Sequence, residues 1–325
     1  MKAIVLRETG GPSKLGLEEF ETPVAGPGEM LIAVHYAAFN RRDVFITQGL
    51  YPKIALPVTL GSDGAGELVD TGEAVVIDPM LAWGSDPHVW DPATANILGM
   101  PHDGTFASYV AVPKSNVYPK PANLSMEEAA AIPLAGLTAY RALFTRGALT
   151  RGETVLIPGV GGGVQTFVLL FAKHAGARTV VTSSSDEKLE RAKALGADLC
   201  INYRTDPDLG KAIRSSGPID LVVDSTGGET LRKTLDAVRP GGRIVIYGGT
   251  TGEASIKLFP LFWKHVTVLG TSMGSPEDFA AMLDLFAGGV HPVVDRVFSL
   301  ADAPAAAQHL LEANQFGKVV LNVDG

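Results

Sequence analysis

The chain is poor in the residues that staple or metallate a fold: its 325 residues include one cysteine, Cys200. A single thiol permits neither an internal disulfide nor a multi-thiolate metal centre, and its setting "GADLCINY" reads as a strand in which the thiol packs as a small hydrophobe. No stretch approaches the ~20 consecutive apolar residues of a bilayer-spanning helix. The opening "MKAIVLRETGG" lacks the apolar segment of a signal peptide, so a cytoplasmic protein is expected. Basic runs are missing as well. With a net charge of −8, neither nucleic acid nor an anionic membrane is expected as the main partner. What is present, 46% hydrophobic and 19% charged residues, suits two globular domains acting on a small molecule.

Residues 1 to about 115 hold short apolar runs, among them "KAIVLRE", "EMLIAVHYAAF" and "EAVVIDP", each bounded by Gly, Pro or Asp. They predict a mostly β domain over 1–120. From Ser125 the pattern becomes helical, with Ser125 and Glu128 at capping-box spacing. Strand-like and helix-like segments then alternate from "TVLIPG" to "GRIVIYGG", which predicts an α/β domain over 121–271 with a parallel sheet and right-handed crossovers. Residues 272–325 mix both kinds. Two loops stand out. Asp70–Thr71–Gly72–Glu73 has the composition of a tight hairpin turn. Residues 81–104 form a long segment expected to be held by Trp83, Trp90 and hydrogen-bonded aspartates.

In "IPGVGGGVQ" a strand ends on glycines and a helix begins, the arrangement that lets backbone N–H groups bind a pyrophosphate. Gly159, Gly161, Gly162, Gly163 and Val164 are the candidate contacts. The third glycine of the dinucleotide fingerprint is replaced by Val164 or Gln165, depending on register. Gln165 is either a pyrophosphate contact or a polar residue of the first exposed turn. The second strand ends in Ser183 and Ser184, where an acid would hold both ribose hydroxyls of NAD and repel a 2′-phosphate. Asp186 comes later, as a first-turn acid behind the N-cap Ser185. Lys188 and Arg204 are the nearest cations in sequence, and Tyr203 joins the candidate cofactor contacts. NADP is the expected cofactor.

The segments "AAFNRRDVFITQGLYP", "LPVTLGSDGAGEL", "GTFASYVAVP", "AAAIPLAGLTAYRAL", "GETVLIPGVGGGV", "VVDSTGG" and "GGRIVIYGG" occur in the order found in medium-chain dehydrogenases/reductases. Over nearly its whole length the chain resembles the zinc-less quinone-oxidoreductase-like branch of that superfamily. The resemblance implies a GroES-like β domain, completed by the C-terminal segment, around a Rossmann domain, with the active site in the cleft between them. It further implies that Thr138 faces the cleft as a contact to the nicotinamide amide or ribose. Gly248 and Gly249, after "IVIY", are expected at the carboxyl end of a sheet strand, where a ring can pass against bare backbone. The positions that hold catalytic zinc in metal-dependent members read Asn40, Ser62 and Leu134, so no metal is expected. Asp63 is expected to be a structural acid or hydrogen-bond anchor. Arg41 and Arg42 could assist an acidic group, although a solvated pair is the commoner meaning of such residues.

The implied activity is hydride transfer from NADPH to an activated alkene, enone or quinone, with Asn40 and Tyr51 as catalytic candidates. Phe45 replaces a tyrosine usual in the quinone reductases. The alternatives are an alcohol or aldehyde dehydrogenase and a non-catalytic NADPH-binding sensor. The aromatic group "LFPLFWKH" is expected to pack core or subunit interface, or to line the substrate cleft. A homodimer formed through the strand near "HVTVLGTS" is also expected.

Overall fold

Residues 1–206 and 208–324 are described by the computed structural model. The chain forms two compact units, one of Met1–Leu137 with Gly274–Gly325 and one of Thr138–Met273.

In the first unit the long strand Glu29–Ala38 organises a seven-stranded sheet. Alternate residues of that strand, Ile32 and Val34, are buried in the core with Ile4, Leu6, Phe39 and Phe106, as expected for a pleated strand with one face inward. Asp63–Leu68 pairs antiparallel with one side of Glu29–Ala38, placing Asp63 opposite Ala38. The C-terminal strand Lys318–Asn322 also pairs antiparallel with it, placing Val320 opposite Ala38. The chain's last strand therefore lies beside the segment that leads into Asn40.

The division between units falls after Leu137, not at the expected 120. The helix Met126–Ala131 explains the difference. Its alanines are small enough to seat it on the first unit's sheet: Ala129 and Ala130 pack with Ala65, and Ala131 packs with Ala38 and Val320. The Ser125–Glu128 capping box that starts this helix is made in both directions, at 3.0 and 2.9 Å. A new helix begins at Pro133, which has no N–H to continue the first, and it passes into a π-helical turn at Arg141–Arg146.

The hairpin turn forms as its composition suggests, with Gly72 at φ 72° and its N–H bonded to Leu68 O at 2.8 Å. In the 81–104 segment, Asn96–Ile97 pairs with Met80–Leu81. Trp83 is buried there with its indole N–H on Asp86 O at 2.7 Å. Trp90, expected to help hold this segment, is instead exposed.

The second unit is a six-stranded parallel sheet in the order Leu199–Asn202, Arg178–Ser183, Thr154–Ile157, Ile219–Asp224, Val238–Ile246, Thr267–Gly270. The first strand in sequence, Thr154–Ile157, is wholly buried. The order reverses between it and Ile219–Asp224, and such switch points open a crevice at the carboxyl ends of the strands. Among the described residues, no helix is long and apolar enough to cross a membrane.

Candidate active site

After Ile157 the backbone turns through Gly159 at φ 72° and Gly161 at φ 125°, conformations that strain any residue with a Cβ. It enters the helix Gly163–His174 with Gly162 as N-cap. Gly159 N–H reaches Thr182 Oγ1 at 3.2 Å and Val160 N–H reaches Thr182 O at 2.8 Å, tying the turn to the second strand. The N–H groups of Gly163, Val164 and Gln165 have no acceptor within the helix, and the helix dipole adds positive potential there. These are the requirements of a pyrophosphate cradle.

Gln165 modifies this cradle. Its side chain folds back over the turn, so that a Cβ built on Gly162 would lie 2.5 Å from Gln165 Oε1. Its Nε2 donates to Ser225 Oγ at 2.7 Å, at the end of the neighbouring strand. Gly248 lies against the same serine, a Cβ there falling 3.2 Å from Ser225 Cβ. The structure thus gathers Gly162, Gln165, Ser225 and Gly248 at the switch point, with Gly249 next along the chain and exposed. Sequence alone does not single out Ser225; its one signal is its place directly after a buried strand in "VVDSTGG".

Ser183 is buried, and its hydroxyl accepts the Ser185 N–H at 3.2 Å. It pairs in register with Asn202, which brings Ser183, Ser184 and Tyr203 to the same end of the sheet. Lys188 lies in the first turn of the following helix, its N–H on Ser185 Oγ at 3.3 Å, and Arg204 is exposed beside Tyr203. The carboxylate of Asp186 accepts the Asn202 amide at 2.6 Å. No acid therefore ends the second strand. Thr138 is buried on the helix Pro133–Tyr140.

In the first unit, Asn40 is the N-cap of the helix Arg41–Thr47. Its backbone N–H donates to Asp43 at 2.7 Å, and its Nδ2 donates to Asp63 Oδ2 at 2.9 Å. Lys318 Nζ, 2% exposed, donates to Asn40 Oδ1 at 2.7 Å, Asp63 Oδ2 at 2.8 Å and Phe39 O at 2.8 Å. The other oxygen of Asp63 accepts the Leu134 N–H at 2.8 Å. Asp63 is thus a buried hub for an amide, a cation and a backbone N–H. Asp43 is fully buried, and desolvation pushes its carboxyl up to about 6, against the pull of Arg42.

Arg41 and Arg42 are not a solvated pair. Arg42 is buried, donating to Ser62 Oγ at 2.6 Å and Leu98 O at 2.9 Å, with its guanidinium 5.1 Å from the centre of the Tyr51 ring. Arg41 donates to Leu310 O at 2.8 Å and lies over Phe45. Tyr51 is therefore joined to the Asn40 helix through Arg42. Cys200 is partly buried with its thiol pushed up, first by burial, as an unreactive thiol should be.

The positions matching zinc ligands offer an amide held by an ammonium, a hydroxyl held by a guanidinium, and the aliphatic Leu134. This donor set does not fit a catalytic zinc. Among the described residues, no group of three or more His, Cys, Asp or Glu could hold a metal.

Residues 26–122 match the alcohol dehydrogenase GroES-like domain and residues 163–288 match the zinc-binding dehydrogenase family. A zinc-type alcohol dehydrogenase-like protein of Leptosphaeria maculans is 36% identical, the match covering 95% of this chain and 94% of that protein. A quinone oxidoreductase of Pseudomonas aeruginosa is 29% identical over 98% of this chain and 99% of its own. The solved structure of an NAD-dependent alcohol dehydrogenase superposes with a TM-score of 0.92 at 37% identity, covering 99% of this chain and 100% of that one. That of the 2-octenoyl-CoA carboxylase reductase CinF, in complex with NADP and 2-octenoyl-CoA, gives 0.88 at 26% identity over 99% and 87%. With its GroES-like β unit, its parallel-sheet unit and relatives matched from end to end, the chain belongs to the medium-chain dehydrogenase/reductase superfamily and is an oxidoreductase.

Proposed function

We propose that the protein is an NADPH-dependent, zinc-independent reductase of an activated alkene, enone or quinone. The observation that carries this reading is the Asn40 cluster: an amide donor stands where a metal-dependent relative needs a ligand, and a cation already occupies its oxygen. Hydride addition to a carbon–carbon double bond conjugated to a carbonyl builds negative charge on that carbonyl oxygen, which a hydrogen-bond donor can stabilise without a Lewis acid. A bound nicotinamide dinucleotide supplies the hydride. The Gly159–Val164 turn holds its pyrophosphate, and the Ser183, Ser184, Lys188 and Tyr203 end of the sheet accepts the 2′-phosphate: no carboxylate ends the second strand, and Asp186 in the following helix is taken up by the Asn202 amide. Asn40 Nδ2 donates to the developing enolate oxygen. Water or the Tyr51 hydroxyl returns the proton to carbon.

The similarity to NAD-dependent alcohol dehydrogenases favours a second reading, alcohol or aldehyde oxidoreduction. One experiment separates them: NADPH and NADH oxidation against quinones, enones, enoyl thioesters and aldehydes, before and after treatment with a chelator. The expected result is turnover of a conjugated substrate with NADPH, unaffected by the chelator, and an NADH Kd at least about tenfold weaker, the worth of one charged contact. Turnover of aldehydes alone, lost to the chelator, or equal binding of NADH overturns the proposal.

A further inference from the structure

Resting on that reading, we infer that Lys318 is a positioning residue that fixes and strengthens Asn40 as the donor to substrate by holding a buried ammonium on its amide oxygen. The three N–H groups of Lys318 are all committed, to Asp63, Asn40 and Phe39, so the ammonium itself cannot reach a substrate. Its effect passes through the Asn40 carboxamide. Turning that amide over would place Nδ2 against the ammonium and oxygen against the Asp63 carboxylate, so the observed orientation is the only one both charges tolerate. With Oδ1 on Lys318 and one N–H on Asp63, one Nδ2 hydrogen remains to donate.

The cation on Oδ1 also draws electron density from the amide nitrogen, which makes the remaining hydrogen a stronger donor through the cooperativity of linked hydrogen bonds. A Lys–Asp pair serving stability alone would not need an amide bonded to both of its charges. Burying two ions to hold a neutral amide is costly, and specification of one orientation is a use for such an arrangement.

The test compares Lys318→Gln, which keeps donors but removes the charge, with Lys318→Arg and Asn40→Ala. The expected result is a kcat about ten- to a hundredfold lower in Lys318→Gln, with NADPH affinity unchanged and partial recovery in Lys318→Arg. In the Asn40→Ala background, Lys318→Gln should add less than about twofold, because both act on one hydrogen bond. Full additivity, or a kcat for Lys318→Gln within twofold of wild type, overturns the inference.

If Lys318→Gln fails to fold with Asp63 unpaired, Lys318→Met combined with Asp63→Asn removes both charges and lets Asn40 turn over, and the same loss is expected. Should wild type reduce nothing in the panel, the functional reading fails. This inference then stands or falls on the Asn40 side-chain amide resonances, assigned by their absence in Asn40→Ala. They are expected downfield and slowly exchanging in wild type, and shifted upfield with faster exchange in the charge-free variants. Unmoved resonances overturn it.

Discussion

Asp78 closes the strand Ala74–Ile77, is almost wholly buried and accepts the Met80 N–H at 2.9 Å. Burial pushes its carboxyl up to about 8, and the single backbone bond only partly offsets that. Because the folded value lies above the unfolded one of about 4, the unfolded state holds fewer protons between these two values. Stability attached to this group is thus full below pH ~4 and is lost as pH rises to about 8. Asp78→Asn keeps an oxygen for the Met80 N–H and never ionises. Its melting temperature should exceed that of wild type by a margin that widens from pH 5 to 8 and is constant above, reaching about 5 °C. A difference independent of pH in paired melting curves would show that Asp78 is ionised in the fold at all these values.

The β/α series is legible at the level of elements because each strand is an apolar run between turn formers and several helices open on a readable cap. Ser185 makes the side-chain N-cap expected of it, accepting the Lys188 N–H, and Ser125 makes its capping box. The candidate site is legible only in part, since its decisive contacts join residues far apart in the chain. Lys318 is 278 positions from Asn40, and "GKVVLNV" reads as an ordinary closing strand with nothing in it to mark its lysine as buried. Gln165 shows the same limit. Its replacement of a glycine is visible, but its bond to Ser225 follows from the sheet order. That bond has a consequence for the turn, because it holds the side chain against Gly162 at the helix start, where a pyrophosphate would bind. Gln165→Ala frees the turn and removes one hydrogen bond that cofactor binding must break. NADPH should bind it about five- to tenfold more tightly by calorimetry. Weaker binding would instead identify the Gln165 amide as a phosphate ligand.

At the scale of the whole molecule, one surface gathers four large exposed apolar side chains on a single short helix. The helix Leu258–Trp263 buries none of its residues, and Leu258, Phe259, Phe262 and Trp263 are each 61–69% exposed. Leu261 packs against the core, but the reading of the aromatics as core is excluded. Phe259 stacks on Trp263 with ring centres 5.7 Å apart, so the aromatics form one apolar surface. Close by in sequence, Thr267–Gly270 is the edge of the parallel sheet, paired among the described strands only with Val238–Ile246. An open strand edge and an apolar patch of this kind invite association, and closed two-fold pairing is the arrangement that ends it. We propose that a second copy of the chain covers this surface, its own Thr267–Gly270 strand running antiparallel to extend the sheet. Sedimentation at micromolar concentration should give a dimer. Val268→Lys combined with Trp263→Lys puts the same positive charge on this surface of both copies, so that like charges meet across the contact, and should give monomers whose far-UV circular dichroism matches wild type. A monomeric wild type, or a doubly charged variant that stays dimeric, would place the contact elsewhere.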